Sequence, residues 1–184
     1  MSKRVVITGI GAISPVGKEV EEIWNNIMNG ESGVEEIDRF DVSEYSSRIA
    51  GLVKDYNSDD YISKKQQRRM DKFIQYGIIA AMKALKHSGL EITEEIAEDV
   101  AVIVSSGIGG METLCNQHSR LENRGPRRVS PFFIPKMIPN ILSGYISIRT
   151  GAKGPNMSVI TACATGTHSI GEGFKKIKNN DAIL

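Results

Sequence analysis

Apolar positions along this 184-residue chain change period several times, and each change marks an element. Val5 to Thr8 is a short β-branched run stopped by Gly9, which suits a strand buried on both faces of a sheet. From Gly17 to Met28 the residues Val20, Ile23, Trp24 and Ile27 recur at helical spacing, and Gly30 is a plausible stop. Residues 31–62 are charged and turn-rich and read as an excursion over the surface. The clearest helix runs from Phe73 to His87. Ile74, Ile78, Ala81, Met82 and Leu85 share one face there, and Gly89 lies just beyond the end. Ala80, Ala81 and Ala84 are small enough for another element to come close.

A second buried strand is expected over residues 99–105, where Val100-Ala-Val-Ile-Val104 runs into Ser106-Gly-Ile-Gly-Gly110. A helix follows over 111–122. Pro126, Pro131, Pro135 and Pro139 crowd the next stretch, and proline fixes φ and removes backbone donors, so an ordered loop without regular structure is expected. Then come a helix over 140–149, a strand over 157–161, a helix over 164–178, and in Ala182-Ile-Leu184 the opening of a fourth strand. This alternation predicts an α/β fold with a mainly parallel sheet, one domain over 1–184 and no internal repeat. A strand that has only begun at the last residue implies that the chain continues in a longer parent.

Composition narrows the function classes. With 23 basic and 22 acidic side chains the formal charge is +1, which gives no support to a general nucleic-acid or anionic-membrane partner. Any electrostatic recognition is therefore local. Two cysteines, Cys115 and Cys163, are too few for a disulfide framework and suit a reducing compartment. The N-terminus lacks a secretory signal pattern, and no window approaches the roughly 18 apolar residues that span a bilayer. A cytoplasmic location is the default expectation.

The strongest chemical signal is Ser158-Val-Ile-Thr-Ala-Cys163-Ala-Thr-Gly-Thr-His-Ser-Ile-Gly171. An apolar strand runs into a cysteine flanked by small residues, and a helix begins at once. That arrangement displays the thiol on a tight turn at a helix N-terminus, where the helix dipole and free N–H groups favour thiolate. The same N–H groups can hold the oxyanion formed when a thioester carbonyl is attacked. Ala162, Ala164 and Gly166 leave room for a substrate. A buried structural cysteine is the ordinary alternative, and the flanking pattern weighs against it.

Thr161-Ala-Cys-Ala-Thr-Gly-Thr-His168 resembles the active-site motif of the β-ketoacyl-[acyl-carrier-protein] synthases, in the thiolase-like superfamily. Arg4-Val-Val-Ile-Thr-Gly-Ile-Gly11, Ser105-Ser-Gly-Ile-Gly-Gly110, Ser130-Pro-Phe-Phe-Ile-Pro135 and Gly154-Pro-Asn156 resemble further segments of that family in the same order. The likeness covers essentially all of the chain and is nearest to the long-chain condensing type, synthase II. It implies the N-terminal half of a duplicated α/β/α layered fold, incomplete at its C-terminal end, and a homodimer through the strand at 157–161. It also implies a ping-pong Claisen condensation. Cys163 would take an acyl group from acyl carrier protein as a thioester, and malonyl-acyl-carrier protein would lose carbon dioxide and attack it. The two histidines and the lysine that assist decarboxylation would lie in a C-terminal half. His87, His118 and His168 do not match those histidines, and His168 reads as structural.

The resemblance further assigns Gly107 and Ile108 to the border of an acyl pocket, with Phe133 and Ile134 on a loop reaching the partner subunit's pocket. Core packing explains these apolar residues almost as well. It also makes the basic run Lys64-Lys65-Gln-Gln-Arg68-Arg69 a docking patch for the acidic carrier protein, with Lys65, Arg68 and Arg69 as its main residues and Arg127 and Arg128 as a second group. A solvated helix face is the ordinary reading of such a run. No metal or cofactor is expected, because the Cys115/His118 spacing has no second pair of ligands. Two rival functions remain. One is a non-catalytic carrier-binding module or split subunit. The other is an NAD(P)-dependent oxidoreductase suggested by Gly9-Ile-Gly11, whose fingerprint fails where Ser14 stands in place of a third glycine.

Overall fold

The computed structural model describes residues 4–54 and 56–184. Among these the chain forms, in order, α1 (Val20–Met28), β1 (Val34–Glu36), β2 (Ile49–Gly51), α2 (Lys64–Gln67), α3 (Lys72–Ser88), β3 (Val102–Ile103), α4 (Met111–Arg124), α5 (Phe133–Met137), α6 (Ile141–Thr150), β4 (Asn156–Met157) and α7 (Thr165–Lys178).

The core is built on α3. Its buried face presents Ile74, Ile78 and Ile79, while Ile62 and Met70 close its N-terminal end and Leu142 and Ile146 of α6 cover its side. Val100 and Val102 add the sheet layer beneath. Each of these side chains contributes roughly 1.5–3 kcal/mol on burial. Gly77 brings α6 close, since a Cβ there would meet the Leu142 side chain at 2.5 Å. The helix ends as the sequence requires: Asp71 accepts from the Phe73 N–H at 3.5 Å, and Gly89 closes it at φ 67°. At the start of α1 the Glu22 carboxylate accepts from the N–H groups of Lys18 (2.6 Å) and Glu19 (3.3 Å), which holds its carboxyl below the ordinary glutamate value.

β3 and β4 pair in parallel, Val102 opposite Asn156 and Ile103 opposite Met157. The Val102 and Val104 N–H groups donate to Pro155 and Met157, whereas Asp99 and Ala101 face the other edge. There the Ile183 N–H donates to Asp99 at 2.9 Å, and the Ala101 N–H donates to Leu184 at 2.7 Å. Alternate residues of a strand bond to opposite neighbours, so the last two residues of the chain flank β3 as the expected fourth strand would.

Val5 to Thr8 departs from expectation. It forms no ladder, and Val6 and Ile7 are 59% and 76% exposed. Just beyond, Gly9 and Gly11 cross α3 so closely that a Cβ on either would collide with the carbonyls of Ala84 and Ala80. That is the close approach the alanine-rich face allows.

Three further differences are local. The ladders at 102–103 and 156–157 are shorter than the runs that suggested them. The 31–62 excursion contains an antiparallel pair, β1 with β2, whose three-residue strands are too short to show a period. The proline-rich segment, expected as irregular loop, contains a 3₁₀ turn at Pro126–Arg128 and the helix α5. Pro126 and Pro135 fall within first turns, where the missing N–H would have had no helical partner. The amphipathic α1 half-buries Val20 and Ile23 but leaves Trp24 63% and Ile27 55% exposed. No helix among the described residues is long and apolar enough to cross a membrane.

Candidate active site

Cys163 is the middle residue of a 3₁₀ turn, Ala162–Ala164, that leads directly into the 14-residue α7. The segment that leads from β4 to it is anchored two ways. Ser158 Oγ donates to the Val104 carbonyl at 2.8 Å, and the Thr161 N–H donates to Thr165 Oγ1 at 3.0 Å from the buried first residue of α7. Ala162 sits at φ 50°, a left-handed conformation that costs a non-glycine residue on the order of 1 kcal/mol. The sharp turn leaves Cys163 exposed. The turn itself uses two N–H groups at the head of α7, since the Ala164 N–H donates to the Thr161 carbonyl at 3.0 Å and the Thr165 N–H to that of Ala162.

Gly107 closes one side of this turn, because a Cβ at 107 would stand 3.0 Å from the Ala162 carbonyl oxygen. The same loop reaches α5 at its other end. The Gly110 N–H donates to Met137 at 2.9 Å, and Gly109 lies against the Met137 carbonyl. One continuous stretch, 107–110, therefore touches both the nucleophile turn and the helix that carries Phe133 and Ile134. Ile108 is 68% and Ile134 52% exposed, while Phe133 is half-buried. These side chains are presented outward rather than closed over a finished pocket. An apolar cleft of about 360 Å³ lies elsewhere, between α3 and β3, lined by Ala80, Ala84, Val102 and Ile146.

His168 lies one turn into α7, with Nδ1 3.4 Å from Thr161 Oγ1 and Nε2 3.7 Å from Glu172. Lys175 donates to Glu172 at 2.7 Å and holds that carboxyl below the ordinary glutamate range, with a smaller effect from His168. This grouping lies along the exposed surface of the helix. His87, at the end of α3, meets the backbone of Ile10, with Nδ1 3.0 Å from its nitrogen. The second thiol, Cys115, is exposed on α4.

Lys65, Arg68 and Arg69 are exposed on α2 and the turn after it, while Arg127 and Arg128 stand on the separate Pro126–Arg128 turn. Two connections here were not expected. The Arg69 guanidinium lies over the Phe132 ring, 4.7 Å from its centre. Asp71, two residues on, caps α3 with one oxygen and accepts from the Thr113 N–H (3.2 Å) and hydroxyl with the other, at the start of α4. An acidic residue ahead of a periodic apolar run does signal an N-cap. Its second partner, 42 residues away, has no such signal.

A family model, Beta-ketoacyl synthase, N-terminal domain, matches residues 2–184. The 3-oxoacyl-[acyl-carrier-protein] synthase 2 of Staphylococcus aureus (strain COL) is 51% identical over 181 residues, covering 98% of this chain and 44% of the relative. That of Vibrio harveyi is 51% identical over 183 residues, covering 99% and 44%. Among solved structures, the ishigamide ketosynthase/chain length factor superposes with a TM-score of 0.87 at 29% identity, covering 99% of this chain and 46% of that one. A type II PKS acyl-carrier protein in complex with its ketosynthase bound to the hexaketide gives 0.83 at 27% identity, covering 98% and 48%. The chain thus spans less than half the length of these relatives.

Proposed function

Because the chain belongs to the β-ketoacyl synthase family, with the thiolase-like fold of its structural neighbours, we propose that it carries the acyl-accepting half of a fatty-acid condensing enzyme of the synthase II type. The observation that carries this reading is Cys163, exposed at φ-strained Ala162 and at the head of α7.

The Cys163 sulfur attacks the carbonyl carbon of an acyl-carrier thioester. The developing oxyanion is met by the Cys163 N–H at the head of α7. The C–S bond to the carrier then breaks, and the carrier leaves as its thiol after taking a proton. In the second half-reaction malonyl-acyl-carrier protein loses carbon dioxide, its α-carbon bonds to the acyl carbon, and the bond to Cys163 breaks to free the thiol and 3-oxoacyl-acyl-carrier protein. This step draws on the histidine pair and lysine that the family resemblance places outside the matched region, so the 184 residues alone do not condense. Gly107, Ile108, Phe133 and Ile134 border the acyl chain. Lys65, Arg68 and Arg69, with Arg127 and Arg128, receive the acidic carrier. The parent works in the cytoplasm as a homodimer, and neither metal nor cofactor enters the chemistry.

Competitive alkylation tests this reading. Iodoacetamide below pH 8 is expected to modify Cys163 faster than Cys115, as followed by peptide mass, and a cerulenin-type epoxide is expected to do the same. Equal, slow modification of both thiols in the folded chain would remove the nucleophile and leave the non-catalytic carrier-binding module as the better reading.

A further inference from the structure

We propose that Phe132 is a positioning residue for carrier-protein recognition, holding the Arg69 guanidinium edge-outward for an acidic partner. The inference rests on the reading of the α2 basic run as the docking patch. Its own basis is the Arg69 guanidinium carbon lying over the Phe132 ring, 4.7 Å from its centre.

A guanidinium stacked on an aromatic face keeps its N–H donors in the ring-parallel plane, free to pair with a carboxylate through two bonds at once. Lysine offers no such plane. An unsupported arginine on the surface instead loses rotamer freedom when it binds, and fixing it beforehand removes part of that loss.

Both sides of the stack are held by backbone. The Arg69 N–H donates to Gln66 at 2.8 Å, and the next residue, Met70, is 4% exposed in the core. The Phe132 N–H donates to Ser130 Oγ at 3.2 Å, its carbonyl accepts from the Lys136 N–H at 3.0 Å, and the Ser130 N–H donates to the buried Gln117 side chain at 2.8 Å. The ring therefore stands on a braced frame. Phe132 also directly precedes the helix bearing Phe133 and Ile134, so a partner gripping Arg69 stabilises the segment at the edge of the acyl pocket. By linkage, an acyl group that orders this segment tightens the carrier's hold by the same factor.

Titration of an acyl carrier protein onto the chain at low and at physiological salt tests the proposal. Phe132→Leu is expected to weaken binding about two- to fivefold, the worth of one exposed cation–π contact. Phe132→Tyr is expected to retain the affinity. Arg69→Lys, which keeps the charge and loses the planar stack, is expected to weaken binding as much as Phe132→Leu and provides the test should that variant fold poorly. In an Arg69→Gln background, Phe132→Leu is expected to have no further effect. Unchanged affinity in Phe132→Leu, or the same loss with Arg69 already removed, overturns the inference and leaves the docking patch standing. No measurable carrier affinity in the unsubstituted chain overturns both.

Discussion

Gly107 lies against the backbone of Ala162, one residue before the nucleophile, with 3.0 Å between a would-be Cβ and the Ala162 carbonyl oxygen. Backbone meets backbone there, so neither side can rotate away. Gly107→Ala is expected to displace the Ala162–Ala164 turn, slow alkylation of Cys163 severalfold and destabilise the chain by about 1–3 kcal/mol, as overpacking does. Gly171→Ala, further along α7, is the matched control. It has open space around its Cβ, and exchanging glycine for alanine inside a helix is expected to be neutral or stabilising by up to about 1 kcal/mol. Thermal melts and thiol-modification rates on the two variants check both halves.

The basic run after Ser63 gives a kinetic prediction. Arg68→Glu is expected to slow carrier-protein association by about tenfold at low salt, with little change in dissociation, since rim charges act chiefly on encounter. Rates measured by stopped flow are expected to converge with the parent rates as added salt screens the field.

Asp71 ties the starts of two helices together. Asp71→Ala removes the α3 cap and leaves the Thr113 N–H and hydroxyl, on a residue 8% exposed, without their acceptor. The expected cost is about 2–3 kcal/mol, combining a lost cap with unsatisfied donors. Urea unfolding is expected to show a lower midpoint at unchanged slope.

Much of this architecture was legible beforehand. Ile74, Ile78, Ala81, Met82 and Leu85 announced α3 by period, and the small residues about Cys163 announced a strand–turn–helix junction. The exceptions have physical causes. Val5 to Thr8 has strand composition, but composition does not say whether a partner strand stands beside it. β1 and β2 are too short to repeat. Pro135 marks irregular loop only until its place in a first turn is known. The Arg69–Phe132 and Asp71–Thr113 contacts join residues 63 and 42 apart in sequence, and no local spacing encodes such pairs.

Acid conditions test the carboxylate that caps α1. The Glu22 carboxyl is held low mainly by the Lys18 N–H. A group whose value is depressed on folding lends stability that is whole above the ordinary glutamate value of about 4.3 and is lost as pH falls through the lowered one. Glu22→Gln is therefore expected to melt earlier than the parent chain at neutral pH. The two melting curves are expected to approach one another toward the acid end of a pH series.

Arg69, Met70 and Asp71 point three consecutive side chains at three different destinations: an aromatic ring, the hydrophobic interior and the head of another helix. Such a junction has no slack. Inserting or deleting one residue would misdirect at least two of the three at once, and no neighbouring loop could absorb the error. Natural length variation in chains of this design should therefore gather in the stretch before Ser63, where exposed three-residue strands and open turns leave room for it.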